Sequence, residues 1–213
     1  MPALAFDPVA HRYTLEGREL ISVTQVLREA GFIDTQWATD AAMSRGTAVH
    51  AAVQEFIGSG VVPEDDVTAP FFDAYLAFQQ ESGFAVGASE ERVHDPVLGY
   101  AGTLDLRGQF AAHSTGLDLI DIKTGTVPSW VGYQTAAYAR LLTSTAKRRW
   151  ALHLRVDGTY RLVPLTARTD ERVGDWGVGV REWKGEGVLV RRVVGGPASQ
   201  GDGIQVARRG GVR

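Results

Sequence analysis

The strongest constraint on the fold lies between Phe84 and Lys123, where the sequence breaks into three β-like segments separated by turn residues. Turn signals at Asp95-Pro96 and Leu98-Gly99, and again at His113-Ser114-Thr115-Gly116, place strands near 86–94, 100–110 and 117–123. Connections this short predict a three-stranded meander rather than crossovers. The second strand carries Gly102-Thr103-Leu104-Asp105, and the third ends in Asp121-Ile122-Lys123-Thr124-Gly125. Alternation by two puts Asp121 and Lys123 on one side of their strand and Ile122 on the other. If the two strands pair as a hairpin, Asp105 joins Asp121 and Lys123 at one point.

Helical and further β patterns flank this meander. His11–Leu15 and Arg18–Ile21 bracket Glu16-Gly17 and read as a short hairpin. Ser22-Val23-Thr24-Gln25 has the form of a capping box, so a helix follows to about Ala30. Ala42, Val49, Val53 and Phe56 form an apolar stripe over a helix near 39–58, stopped by Gly58-Ser59-Gly60. Another helix follows Pro70 with Phe72, Tyr75, Leu76 and Phe78. Pro128 marks a helix start, with helical spacing from Trp130 to about Thr145. Trp150–Val156 and Tyr160–Leu165 read as a hairpin about Asp157-Gly158, before a helix from near Asp170 to Trp183. The expected fold is α/β in the α+β sense, a mixed central sheet flanked by helices.

Length and composition bound the rest. A chain of 213 residues with 44% hydrophobic composition supports one core. The expected division is a single domain over 1–187, with hairpin and helices in 1–83 and a core in 84–187. Residues 188–213, rich in Gly and ending Arg208-Arg209-Gly210-Gly211-Val212-Arg213, read as a flexible basic tail. With no cysteine, disulfides, zinc-thiolate sites and iron-sulfur clusters are excluded. No apolar run approaches the ~18 residues of a membrane span and no signal sequence is evident, so a cytoplasmic location is expected. A net charge of −3 argues against non-specific coating of nucleic acid, yet it leaves room for a local basic strip beside acidic metal ligands.

Two carboxylates with a lysine can hold a hard divalent cation next to an activated water, since magnesium takes oxygen ligands and keeps several waters. Asp-x-Lys alone, however, is more often the polar edge of a strand. His50, beside Val49 and Val53, would by itself be a core histidine. Gln134 and Tyr138, four apart on one helix face, fit a phosphate or base contact and a partly buried hydrogen-bonded pair about equally. Lys147-Arg148-Arg149 reads as a backbone-binding strip or as a solvated charged turn. Trp130 and Tyr133 read as core aromatics before stacking platforms.

Taken together the segments resemble the PD-(D/E)XK nuclease superfamily, and within it the RecB-like, phage-type exonuclease group. Arg45-Gly46-Thr47-Ala48-Val49-His50 is similar to its Gly-Thr-x-x-His motif, Gly102–Asp105 to its Gly-x-x-Asp motif, Asp121–Gly125 to Asp-x-Lys-Thr-Gly, and Gln134–Tyr138 to Gln-x-x-x-Tyr. The four occur in the expected order over residues 45–140, and His11 to Thr24 also looks like the start of phage-type members.

The resemblance implies a restriction-endonuclease-like core and a metal-dependent deoxyribonuclease, an exonuclease of phage or prophage type. Asp105, Asp121 and Lys123 would be catalytic. His50, Glu90, Asp105, Asp121 and the Ile122 carbonyl would bind one or two Mg or Mn ions, with Glu91 the competitor of Glu90. Because neighbours on a strand face opposite sides, only one of the two glutamates can serve. Gln134, Tyr138, Arg45, Lys147, Arg148 and Arg149 would contact DNA. The products would be a 3′-hydroxyl and a 5′-phosphate. A non-catalytic nucleic-acid-binding module and a structure-specific endonuclease are the competing readings. No nucleotide cofactor is expected because no Walker loop is present. A separately encoded recombination or single-strand-binding protein is the further expected partner.

Overall fold

The N-terminal strands β1 (Leu4–Asp7), β2 (Arg12–Leu15) and β3 (Arg18–Ser22) form an antiparallel ribbon. Glu16 and Gly17 close the expected hairpin with φ of 52° and 80°, the pair of left-handed residues that a two-residue turn needs to match strand twist. The capping box is also present. The Ser22 hydroxyl accepts from the Gln25 amide at 3.1 Å, the Gln25 side chain accepts from the Ser22 amide at 2.8 Å, and helix α1 (Val23–Glu29) follows. The computed structural model describes residues 4–33, 39–113, 115–142 and 147–166. The helix expected at 170–183, the end of the expected domain and the tail at 188–213 lie outside them.

Helix α2 (Asp40–Ser59) starts on Thr39, whose hydroxyl accepts from the Ala42 amide, and ends at Gly60 in the left-handed region with φ of 77°. Helix α3 (Ala69–Ser82) has Pro70 in its first turn. The expected meander then appears as β4 (Phe84–Asp95), β5 (Tyr100–Phe110) and β6 (Leu117–Lys123), antiparallel in sequence. Helix α4 (Val131–Leu141) crosses to β7 (Lys147–Leu154), which pairs parallel to β6 and forms a hairpin with β8 (Tyr160–Pro164). The β6–α4–β7 unit corrects two expectations. The helix ends four residues earlier than its apolar spacing suggests, and β7 begins at Lys147 rather than Trp150.

Among the described residues the result is a mixed, open eight-stranded sheet with helices on both faces. On one face α2 and α3 pack Val49, Val53, Phe72, Tyr75 and Phe78 onto Leu106, Ile120, Ile122 and Leu152. On the other, α1 and α4 pack Val23, Leu27 and Tyr138 onto Leu104, Leu119 and Tyr100.

The pairing of β5 positions the site. Its whole length pairs with β4 on one edge, while the opposite edge is shared. Tyr100 and Ala101 pair with β3, and Leu106 to Gly108 pair with β6. Between these contacts, Gly102 to Asp105 ladder with neither strand on that edge. The sheet therefore parts beside Asp105. Among the described residues no helix is long and apolar enough to cross a membrane.

Candidate metal centre

Where β6 leaves β5, the main chain of Ile122 loses its partner on that edge, while β7 stays paired on the other. In an antiparallel ladder the N–H and C=O of one residue point to the same edge, so both groups of Ile122 face the opening. Buried backbone groups must find substitutes. The Asp105 carboxylate accepts from the Ile122 N–H at 2.6 Å, and His50 Nε2 donates to the Ile122 carbonyl at 3.1 Å. The geometry that brings His50 and Asp105 to one place is thus a repair of an interrupted sheet.

A carbonyl only accepts, so Nε2 of His50 carries a proton and Nδ1 faces the acids. Nδ1 lies 3.5 Å from Glu90 Oε1 and 3.6 Å from Asp105 Oδ1. One ligand atom from each of His50, Glu90 and Asp105 lies within 4.8 Å of the other two. Glu90 reaches this position through its backbone, which has φ of 48°. A non-glycine residue held there costs of order 1–3 kcal/mol, and such strain collects at functional sites. Glu91 turns away and pairs with Arg107, whose Nη2 donates at 3.0 Å. The expectation that only one of the two glutamates joins the cluster holds, and Glu90 is the one.

Asp121 and Lys123 share the α4 side of β6 and form an ion pair with each other. Asp121 is 3% exposed, and Lys123 also lies 5.5 Å from the Trp130 ring centre. Burial pushes the Asp121 pKa up to about 6 against the pull of Lys123, and Asp105 raises it further. For Lys123, burial disfavours the charge, but Asp121 and Asp105 outweigh it and keep the ammonium protonated. Burial likewise opposes charge on His50, and the Asp105 and Glu90 carboxylates reverse that, raising its pKa to about 9. The protonated His50 and Lys123 leave one of the three carboxylate charges unbalanced, and a cation that displaces the proton from His50 Nδ1 meets three carboxylates against one ammonium. The two negative charges left over equal the charge of one divalent cation, so the donor set fits such an ion. His50, Glu90, Asp105 and the Ile122 carbonyl surround the same opening, with Asp121 beside them.

The expected DNA contacts divide. Gln134 and Tyr138 are 9% and 6% exposed, and the Gln134 amide donates to the Tyr138 hydroxyl at 3.0 Å. They are the buried hydrogen-bonded pair, not an open contact face. The Tyr138 ring occupies the space where a side chain on β5 would stand, because a Cβ on Gly102 would lie 2.3 Å from it. Burial first, and then Asp105 and Asp121, raise the Tyr138 pKa well above its ordinary value, so the phenol stays neutral under the carboxylates.

The Lys147-Arg148-Arg149 strip is corrected by β7. Strand alternation sends adjacent residues to opposite faces. Arg148 binds Asp118 at 2.8 and 2.9 Å, and Arg149, 5% exposed, donates to the Gly132 carbonyl in α4 at 2.7 Å. Lys147 is the first residue of that strand, so the run does not form one basic surface. Trp130 and Tyr133 pack against the α1–α4 core, Tyr133 with its ring centre 4.7 Å from that of Phe32.

Arg45 remains at the opening of a cavity. Its guanidinium lies over the Phe71 ring at 5.4 Å, and its buried Nε has no hydrogen-bond acceptor. Sequence reasoning missed the rest of that cavity, Thr124, His153 and Arg155, and also the Tyr13 hydroxyl, which bonds Thr103 of β5 at 2.7 Å. The β6–β7 register, which sets Lys123 beside His153, brings His153 and Arg155 near the site, and the pairing of β2 with β3 and of β3 with β5 brings Tyr13. No family model matches the sequence, and no curated protein matches it.

Proposed function

We infer that this protein is a metal-dependent deoxyribonuclease with a restriction-endonuclease-like core, acting as an exonuclease of the RecB-like, phage-type kind. The observation that carries the reading is the convergence of His50, Glu90 and Asp105, with His50 and Asp105 anchored on the Ile122 backbone, next to a buried Asp121–Lys123 pair. A buried ion pair is poor value as a stabilising device, and hydrophobic replacements of similar volume are often as stable. Five ionisable groups gathered where a sheet opens, one on a strained backbone, are therefore better explained by chemistry than by folding.

His50 through Nδ1, Glu90 and Asp105 would hold magnesium or manganese, with Asp121 completing the acidic face, while the Ile122 carbonyl, expected as a further ligand, stays bonded to the Nε2–H of His50; the imidazole ligand favours manganese. The ion would supply Lewis acidity, neutralising charge that builds on the scissile phosphate and acidifying the attacking water. Lys123, kept charged by Asp121 and Asp105, would orient that water or donate to a phosphate oxygen. Tyr138 and Gln134 act one step back by filling the space over Gly102 and setting the height of β5. Water is the nucleophile, so no covalent enzyme intermediate forms.

Purified protein incubated with end-labelled linear DNA and Mn or Mg should release nucleotides, and EDTA or Asp121→Asn should stop it. Absence of metal-dependent cleavage, or equal cleavage by the variant, would overturn the reading. Covalently closed circular DNA separates exonuclease from endonuclease, because the former needs an end.

A further inference from the structure

A cavity of about 610 Å³ opens beside the metal centre, at the C-terminal ends of the parallel strands β6 and β7. Ends of parallel strands are where open α/β sheets bind ligands. Arg45, Phe71 and Pro70 line it from α2 and α3, and Thr124, His153 and Arg155 from the strand ends. Thr124 follows Lys123 directly, and a Cβ on Gly46 would lie 3.8 Å from its hydroxyl, so α2 reaches the end of β6 with room for an ordinary contact. Two features mark the cavity as unfinished. The Nε of Arg45 is buried without an acceptor, a desolvation cost that the arrival of an anion on this guanidinium would relieve. Val67 and Val156, at the rim, are 59% and 71% exposed although both are apolar.

The chemistry of the walls selects the ligand. Arg45 and Arg155 supply planar forks suited to phosphate. Burial, together with Arg155 and Arg161, holds the His153 pKa below its ordinary value, consistent with a positive local field. Pro70, Val67 and Val156 give an apolar surface for a base. The two acids at the rim do not cancel this. Asp157 is occupied by the Thr159 amide and hydroxyl at 3.0 and 2.6 Å, and Asp66 is an acceptor suited to the amino group of a base. Arg45 precedes His50 by five residues, about 7.5 Å along the helix, or roughly two stacked nucleotides of one strand. The volume lies in the range of roughly 300–1,000 Å³ typical of small-molecule sites and is enough for one nucleotide, whose base can lie against these walls only when it is unpaired.

We propose that this cavity is a mononucleotide subsite that takes one unpaired nucleotide of the DNA strand, its phosphate on Arg45 and Arg155 and its base against Pro70, Val67 and Val156. The inference rests on the nuclease reading and narrows the substrate to single strands or unpaired ends. A nucleotide seated there fixes the strand one or two phosphates from the cut.

The test is calorimetric titration of the metal-free, full-length protein with dAMP, deoxyadenosine and inorganic phosphate, so the readout does not depend on cleavage. dAMP should bind more tightly than either fragment, and Arg45→Ala should weaken it about tenfold or more. Arg155→Glu, at an exposed position where the fold is not at stake, should do the same. In parallel, the parent protein should degrade single-stranded DNA faster than blunt duplex. Absence of dAMP binding at millimolar concentration, or binding unchanged in both variants, overturns the subsite even if the protein cuts DNA. Phosphate binding as well as dAMP reduces the cavity to a plain anion site and overturns the nucleotide claim. Arginine-dependent dAMP binding without any cleavage upholds the subsite and refutes the nuclease.

Discussion

Strand β6 carries a buried aspartate near each end, and the two are treated in opposite ways. Asp118 is fully buried and accepts from Arg148, the Trp150 indole at 2.9 Å and the Phe110 amide at 3.3 Å, and bonds His113 at 3.0 Å. Burial alone would raise its pKa, but these bonds overcome it and hold the carboxyl at about 2. Asp121, three residues on, has Lys123 as its partner and a pKa pushed up to about 6. The same side chain on the same strand is an anchor at one end and a reactive group at the other. What differs is how completely its oxygens are satisfied.

The sharpest way to break this contrast is to neutralise each acid in turn. Asp121→Asn should lower metal-dependent DNA cleavage by about a thousandfold or more, since a charge aimed at the reacting centre is lost, while the melting temperature stays level or rises, because the raised pKa of Asp121 marks its charge as unfavourable in the metal-free fold and Asp105 remains as a counter-charge for Lys123. A variant that melts much earlier would make Asp121 a second anchor. Asp118→Asn should do the reverse, costing about 3 kcal/mol in urea unfolding because Arg148 and His113 lose their counter-charge, with cleavage retained by whatever remains folded.

Acid titration sharpens the same point. The folded pKa of Asp118 lies below the unfolded value of 3.8, so its contribution to stability is present above pH 4 and is lost as pH falls from about 4 to about 2. A shift near two units corresponds to about 2.5 kcal/mol. Stability curves of parent and Asp118→Asn should therefore converge over that interval, and parallel curves would refute the assignment. Asp121 has the opposite sign: its raised pKa means that its negative charge weakens the metal-free fold, most of all above pH 6.

Smaller effects test how the reactive end is held. Gly102→Ala forces a Cβ into the Tyr138 ring and should cost about 1–3 kcal/mol by overpacking. Thermal melts should show part of that loss recovered when Tyr138→Leu is added. The least effect is expected at Glu90. Both Glu90→Ala and Glu90→Gly remove the carboxylate, but only glycine accepts φ of 48° without strain, so the glycine variant should be more stable by about 1 kcal/mol. Equal melting of the two would mean that the backbone at this position is not strained.

Local chemistry made much of this molecule readable in advance. The Glu16-Gly17 hairpin, the Ser22/Gln25 box, the helix ending at Gly60 and the three meander strands each depend on contacts within a few residues, and each appears as expected. The choice of Glu90 over Glu91 could be narrowed by strand alternation but was decided by Arg107 and by a left-handed backbone that no pattern announces. Lys147-Arg148-Arg149 misled for the same kind of reason. As a string it is a basic run, and only the parallel pairing of β7 with β6 assigns one arginine to Asp118 and the next to Gly132. Gln134 and Tyr138 were legible as a pair on one helix face, but their burial was not, because it depends on Gly102 leaving room across the sheet.

Sequence alone marked most of the described elements and their order, though not β1, and which acids, lysine and histidine were candidates for one site, since periodicity and capping are properties of neighbouring residues. Tertiary structure alone decided that β5 divides one edge between β3 and β6. That division frees the Ile122 backbone for His50 and Asp105 and opens a cavity past Thr124. The physical reason is that an unpaired backbone group in a sheet must be satisfied from wherever a partner can be found, and the partners here come from 17 residues earlier in the chain for the N–H and 72 earlier for the carbonyl.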